Sequence, residues 1–148
     1  MQMTLADRSN YFKGLLLLAR KDKVLADEEK AMLLRLGELL QYNRDFCEQT
    51  IYNLLTNPHL DEIPPTFSNK ECTELFLLDG IKIAFADHNL HKKEYTWMQE
   101  IAMQNDISSD WLTARLADFL NGENGTRQNN FEIENFVSQR TVALPLPA

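Results

Sequence analysis

An internal repeat constrains the fold of this chain more than any other feature of its sequence. Shifted by 65 residues, residues 10–57 align with residues 75–122 without a gap. The polar identities in this alignment pair Asp22 with Asp87, Glu29 with Glu94, and Asp45 with Asp110. Any two helices share some apolar spacing, so these polar identities are the stronger sign of duplication. The repeat predicts two similar structural units that share one core.

The apolar residues of both halves recur at the three- and four-residue spacing of an α-helix. Helix-start signals add boundaries: Asn43 and Ser108 occupy cap positions, and Ser68 with Glu71 forms a capping-box pattern. The sequence therefore predicts an all-α fold with six helices. They cover about residues 9–21, 27–40, 43–55, 68–86, 92–104 and 108–121, where the third, fourth and sixth ranges begin at their caps.

The first and fourth helices are apolar on nearly every side, as LLLL (15–18) and LFLL (75–78) illustrate. A helix without a polar face must be covered by other helices. We therefore expect two pseudo-symmetric three-helix halves, with these two helices at the centre. Asp79 and Lys82 interrupt the apolar surface of the fourth helix, and their spacing of three residues predicts a local ion pair.

Two stretches depart from the helical pattern. NPHLDEIPPTF (57–67) joins the halves, and its prolines predict an extended linker. From residue 121 the chain is rich in polar residues and glycine, so we expect a single domain over residues 1–122 and a mobile C-terminal tail over residues 123–148. Within the tail, FEIENFV (131–137) is compatible with a short strand, an arm docked on the domain, or a segment that binds a partner.

The net charge of −7 and the two cysteines narrow the function classes. Nucleic acid and anionic membranes require clustered Lys and Arg, so we expect neither as a partner.

No apolar stretch reaches the roughly 20 residues of a membrane-spanning helix, and residues 1–10 lack a secretion-signal pattern. Cys47 and Cys72 lie in apolar helical patterns typical of free, buried thiols. We therefore expect a cytoplasmic protein that does not insert into membranes.

Signatures of catalysis do not occur in the sequence. It contains no phosphate-binding loop, no dinucleotide-binding fingerprint and no nucleophile elbow. Neither cysteine lies in an electropositive context that would activate it. The sequence therefore predicts a protein that is not an enzyme.

The repeat carries an acidic pattern, Ala-x-x-Asp-x-x-Leu-x-x-x-Glu, once in each half. It places Asp22 or Asp87 at the end of one helix, and Glu29 or Glu94 in the first turn of the next. The glutamates can cap the helix that they begin. The aspartates face the negative end of a helix dipole, so another group must offset that cost. Free amides of the next helix or a bound divalent cation could do so, and the sequence leaves both interpretations open.

This duplicated turn in an all-helical chain resembles the TerB-like family of tellurite-resistance proteins, related to N-terminal domains of DnaJ-like co-chaperones. The resemblance covers roughly residues 10–120 and is clearest in FKGLLLLARKDKVLADEEKAMLLRLGELL (12–40). It implies two similar helical halves and a non-enzymatic role in stress or in metal and tellurite resistance. It also implies metal binding by Asp22, Glu29, Asp87 and Glu94. The family often has glycine after the aspartate, where this chain has Lys23 and His88.

Two further hypotheses compete with cation binding in the acidic turns. His88, His91 and Glu94 have a spacing that would suit zinc on a helix, but they lie in a turn, where His91 occupies a cap-like position. The other hypothesis is a helical protein-interaction module whose acidic turns are purely structural. In that case the tail docks on a partner protein, or on a second copy to give a homodimer, through Phe131, Ile133, Phe136 and Val137.

Overall fold

The structure is a computed structural model, and it describes residues 3–20, 25, 27–57, 62–85, 90–122 and 131–134. Its six α-helices are α1 (Leu5–Ala19), α2 (Asp27–Leu39), α3 (Arg44–Thr56), α4 (Lys70–Ala84), α5 (Lys92–Gln104) and α6 (Ser109–Leu120). A further helical turn occupies residues 132–134. No strand occurs in the described ranges, so the all-α prediction is confirmed. Within the same ranges, no helix is long and apolar enough to cross a membrane.

The helices of the two halves begin at matching positions. α4 and α5 begin and end 65 residues after α1 and α2, and α6 begins 65 residues after α3. The ends of α2 and α5 match as well, because Gln41 and Asp106 adopt positive φ angles of 68° and 60°. In both, the following N–H donates to a carbonyl oxygen five residues earlier, at 2.9 and 2.8 Å, as in a Schellman motif. The sequence repeat is therefore also a repeat of local backbone structure.

Side-chain caps begin several helices. The caps predicted at Asn43 and Ser108 are confirmed, because each side chain accepts the backbone N–H three residues later. The cap predicted at Ser68 is wrong by one residue. α4 is capped by Asn69, whose Oδ1 accepts a backbone N–H of the first turn at 2.8 Å. Ser68 is engaged elsewhere, because its hydroxyl and its N–H both donate to the Asp7 carboxylate.

α1 and α4 pack against each other at the centre of the fold. Each has ten buried residues, whereas none of the other four helices has more than five. This placement agrees with their nearly all-round apolar surfaces. α3 and α6 lie at the periphery and leave apolar side chains such as Tyr52 and Leu120 exposed.

Side chains of the second half hold the linker between α3 and α4. Residues 62–67 have no regular secondary structure. Asn105 binds them twice, because its Nδ2 donates to Pro65 O at 3.0 Å and its Oδ1 accepts the N–H of Phe67 at 3.0 Å. The indole N–H of Trp97 donates to another linker carbonyl at 3.0 Å. These contacts satisfy backbone groups that a non-helical segment cannot satisfy itself.

Gly37 allows α2 and α3 to approach closely, because a Cβ at this position would lie 2.2 Å from Cys47 Sγ. We expect Gly37→Ala to lower the free energy of unfolding by about 1–3 kcal/mol, the usual cost of overpacking a core. Urea unfolding measures the loss. Cys47→Ala removes the clashing sulfur, so it should restore stability to the Gly37→Ala chain although it destabilises the wild type. Simply additive losses would contradict this packing.

Candidate functional site

The residues predicted to bind a metal lie only partly within the described ranges. Asp22 and Asp87 fall outside them, as does His88. Glu29 and Glu94 are described, and each is the third residue of its helix, α2 or α5. Both are 1% exposed, so the two halves bury a glutamate at the same position of the repeat.

Glu94 makes a local structural contact. Its Oε1 accepts the backbone N–H of His91 at 3.0 Å, and His91 is the cap residue of α5. A glutamate at the third helical position makes this contact in a capping box. Its negative charge also opposes the positive end of the α5 dipole. Glu94 therefore contributes to the start of α5.

Groups that could chelate a metal are not assembled within the part of the chain that the structure describes. There, no three His, Cys, Asp or Glu side chains lie close enough together to hold an ion. The described members of the predicted set, Glu29 and Glu94, belong to different halves. The remaining members, Asp22 and Asp87, would have to complete each site from outside the described ranges.

Both cysteines are free and buried. Burial, together with the negative charges of Asp7 and Glu71, raises the pKa of the Cys72 thiol to about 12. Burial also raises the pKa of the Cys47 thiol. Near neutral pH both side chains are therefore neutral thiols, a form that is a poor nucleophile.

A different group of polar residues lies at the central helices, partly buried between α1 and α4 and partly at their edge. Asp79 on α4 is fully buried, and its Oδ2 accepts the hydroxyl of Tyr11 on α1 at 2.6 Å. Lys82 lies one turn later on α4 and is 8% exposed. Arg35 lies on α2. We call the surface formed by Tyr11, Arg35, Asp79 and Lys82 the Asp79 cleft.

Residues 131–134 fill the Asp79 cleft. The side chains of Phe131 and Ile133 are fully buried in the core. The N–H groups of Glu132 and Ile133 donate to Asp79 Oδ1 and Oδ2, at 2.6 and 3.2 Å. Because these N–H groups begin a helical turn, Asp79 supplies from α4 the acceptor that a capping residue normally supplies from the adjoining sequence.

Two ion pairs hold the edges of the same segment. Lys82 Nζ lies 3.2 Å from Glu132 Oε1, and Arg35 Nη2 lies 2.5 Å from Glu134 Oε1. The prediction paired Lys82 locally with Asp79, and the charge of Lys82 does favour the Asp79 carboxylate. Lys82 also makes a long-range ion pair with Glu132. Asp79 faces backbone N–H donors in the interior, whereas the longer Lys82 side chain reaches Glu132 at the rim.

The environment of Asp79 shifts its protonation. Burial raises the pKa of Asp79 to about 7, although the Tyr11 hydroxyl, the backbone N–H groups and the charge of Lys82 all favour the carboxylate. Burial and the neighbouring Asp79 raise the pKa of Tyr11 well above its ordinary value. Tyr11 therefore remains a hydrogen-bond donor, while Asp79 changes charge near neutral pH.

Sequence reasoning did not identify the Asp79 cleft as a site. A signal was present, because the shift by 65 residues pairs Asp79 with Gly14 and Lys82 with Leu17. The repeat therefore departs from itself where two charged residues enter an apolar helix. The rest of the predicted tail, residues 123–130 and 135–148 with Phe136 and Val137, lies outside the described residues.

An open depression of about 500 Å³ lies elsewhere on the molecule, lined in part by Arg20, Glu62, Lys92, Lys93 and Trp97. None of the residues lining it belongs to the Asp79 cleft. Its charged residues are of both signs, so it has no clear charge preference. The Asp79 cleft is filled by protein and is identified by its contacts rather than by empty volume.

Comparison with known proteins gives no relative for this chain. No protein-family model matches it, and neither a curated protein nor a solved structure is significantly similar to it. The resemblance to the TerB-like family rests on the duplicated sequence motif.

Proposed function

We propose that this chain is a non-enzymatic helical module that binds short protein segments in the Asp79 cleft. The observation that carries the proposal is the pairing of a fully buried carboxylate with the backbone N–H groups of Glu132 and Ile133. All residues except proline have a backbone N–H group, so this contact recognises the geometry of a backbone rather than a particular side chain. The apolar space that Phe131 and Ile133 fill adds a requirement for suitable side chains.

The cleft needs an occupant to remain stable. A buried carboxylate costs free energy unless hydrogen bonds satisfy it. Without residues 131–134, Asp79 would keep the Tyr11 hydroxyl and lose two backbone donors. A segment from the same chain and a segment from a partner would therefore compete for one set of contacts.

Peptide binding tests the proposal. The probe is a fluorescent peptide with the sequence of residues 129–136, NNFEIENF. The receptor is the full chain carrying Phe131→Ala and Ile133→Ala, which weaken its own segment. We expect this receptor to bind the probe at least about ten times more tightly than the wild-type chain does, because a tethered segment competes at an effective concentration in the millimolar range. Fluorescence anisotropy measures both affinities.

The control for this experiment is Asp79→Ala in the same receptor, which removes the acceptor of the backbone N–H groups and should abolish binding. Binding that is insensitive to Asp79→Ala would occur at a different surface. A receptor that remains helical by circular dichroism and does not bind millimolar probe contradicts the proposal. A homodimer through the tail would instead give a sedimentation mass that rises with protein concentration.

We also propose that the two halves pack about an approximate two-fold axis, and reciprocal contacts between α1 and α4 support this. Tyr11 and Phe76, which are 65 residues apart, meet edge to face with ring centroids 5.4 Å apart. Tyr11 binds Asp79, and Phe76 lies against Gly14, where a Cβ would be 2.7 Å from its ring. Such mirrored residue pairs are typical of two-fold contacts. The cleft then lies where one half has aspartate and the other glycine.

Cation binding in the acidic turns is a second candidate, in a TerB-like role in stress or metal resistance. It is favoured by the burial of Glu29 and Glu94, the glutamates that follow Asp22 and Asp87 in the repeated acidic pattern. Carboxylate oxygens brought together are the ligands that a divalent cation prefers. We place both segment binding and cation binding in the cytoplasm. The free buried cysteines support this location, because thiols stay reduced there.

Cation binding predicts that millimolar Ca²⁺, Mn²⁺ or Zn²⁺ raises the melting temperature by a few degrees at fixed ionic strength, because the ion binds only the folded chain. Asp22→Asn or Asp87→Asn should abolish the rise, which differential scanning calorimetry measures. Asp110→Asn is the matched control, since this repeated aspartate is exposed in the first turn of α6. A wild-type chain that shows no rise with any of the three ions rules this candidate out.

A further inference from the structure

Two cations bind the segment in the Asp79 cleft, one from each half of the chain. Lys82 of α4 contacts Glu132, and Arg35 of α2 contacts Glu134. The chain as a whole has a net charge of −7, so these positive groups oppose its overall charge. They give the cleft a charge preference that composition alone does not predict.

The four consecutive side chains of the segment alternate between apolar and charged surroundings. Phe131 and Ile133 are buried in the apolar core, while Glu132 and Glu134 each reach a cation. Asp79 fixes the register, because one carboxylate receives both N–H groups at the start of the turn. A shift by one residue would place a glutamate in apolar surroundings, which is costly for an unpaired charge.

Resting on the proposed function, we propose that the ligand of the Asp79 cleft is a segment of another protein with the order aromatic–acidic–aliphatic–acidic, which displaces residues 131–134. Lys82 discriminates most strongly. It is 8% exposed, so a basic residue at the second ligand position would meet it with little solvent to screen the repulsion. Arg35 is 48% exposed and contributes less. The cleft therefore accepts acidic segments and rejects basic ones.

The tethered segment sets the affinity that such a partner must reach. Residues 131–134 belong to the same chain and compete at an effective concentration in the millimolar range. A partner that offers only the same four residues is at a disadvantage, whereas a partner with additional contacts outside the cleft displaces the segment. Residues 131–134 thus act as an intramolecular competitor that keeps Asp79 paired until a partner binds.

An exchange of charge between cleft and peptide tests this specificity. The receptor is the full chain carrying Phe131→Ala and Ile133→Ala, with or without Lys82→Glu and Arg35→Glu. The peptides are NNFEIENF and the same peptide with both glutamates replaced by lysine. We expect the receptor with the original cleft to bind the acidic peptide at least about ten times more tightly than the basic one, and the charge-reversed receptor to reverse this preference.

The matched control carries Lys13→Glu and Lys70→Glu, which change the net charge equally at exposed positions and should leave the preference unchanged. If the double alanine receptor loses its helical circular dichroism signal, Ile133→Ala alone replaces it, or the wild-type chain is titrated with millimolar peptide by NMR. The ratio of the two peptide affinities reports the preference in every case.

Equal affinity for both peptides in both receptors would overturn the specificity and leave the proposed function standing. Binding of neither peptide would overturn both. A wild-type sedimentation mass that doubles with concentration, and returns to that of one chain in Ile133→Ala, would make a second copy the source of the segment. That outcome would overturn the proposal that the segment bound in the Asp79 cleft comes from a different protein.

Discussion

Replacement of Phe131 by alanine is expected to lower the free energy of unfolding by about 3–5 kcal/mol. Phe131 is 1% exposed and belongs to the same core as the apolar residues of α1 and α4. Its removal leaves a cavity that the surrounding helices close only in part. The loss is a large fraction of the roughly 5–15 kcal/mol that stabilises a typical domain. Urea unfolding followed by circular dichroism measures it.

Phe46→Ala is the matched control for this prediction, because it removes the same side chain from α3, where Phe46 is 46% exposed. We expect it to cost about 1 kcal/mol, since much of its surface already contacts water. Small and equal losses for the two variants would contradict the placement of residues 131–134 in the core.

Replacement of Asp79 by asparagine is expected to change the pH dependence of stability, by up to about 4 kcal/mol between about pH 4 and pH 8. The pKa of Asp79 is raised from 3.8 to about 7 in the folded chain. Between these values the folded state binds more protons than the unfolded state. The stability that Asp79 contributes is therefore greatest near pH 4, falls as the pH rises, and levels off above about pH 7.

Asparagine has the same shape as aspartate and does not titrate, so the variant lacks this slope. Urea unfolding of both chains across the pH range gives the difference between their free energies. Asparagine also turns an N–H₂ group toward a backbone donor, which shifts the whole curve without changing its slope. A flat difference curve would mean that the Asp79 carboxylate is not desolvated.

Asp7 provides an internal control of opposite sign. Burial raises its pKa, but hydrogen bonds from Ser68 and Thr4 outweigh this effect, so the pKa lies below the ordinary value of 3.8. The stability that Asp7 contributes is present above about pH 4 and is lost as the pH falls further. The two aspartates therefore act in separate pH windows.

Helix boundaries could be predicted from sequence because their signals are local. α5 is observed over its predicted residues, and Asn43 and Ser108 cap the helices that they were expected to cap. A cap and the N–H that it accepts are three residues apart, so one short stretch contains the whole signal. The start of α1 is four residues earlier than predicted, because Thr4 and Asp7 form a capping box ahead of the apolar run.

The Asp79 cleft could not be predicted from spacing along one helix. Local spacing joins Asp79 to Lys82, but its hydrogen-bond partners Tyr11 and Glu132 lie 68 and 53 residues away in the chain. The alternation in FEIE indicates two buried side chains without indicating the surface that buries them. Only the two departures from the repeat, Asp79 opposite Gly14 and Lys82 opposite Leu17, marked the position. The acidic turns remain predictions, because Asp22 and Asp87 lie outside the described residues.

Residues 131–134 follow all six helices in the chain, and this order matters during synthesis. The ribosome joins residues in order from the N-terminus, so every residue of α1 to α6 is in the chain before the N–H groups of Glu132 and Ile133 have been made. Until then, Asp79 lacks two of the three hydrogen bonds described for it. The growing chain thus contains every residue of the six helices before it contains two of the donors that pair with its buried acid. Residues 131–134, which are synthesised later, then supply the remaining hydrogen bonds to Asp79.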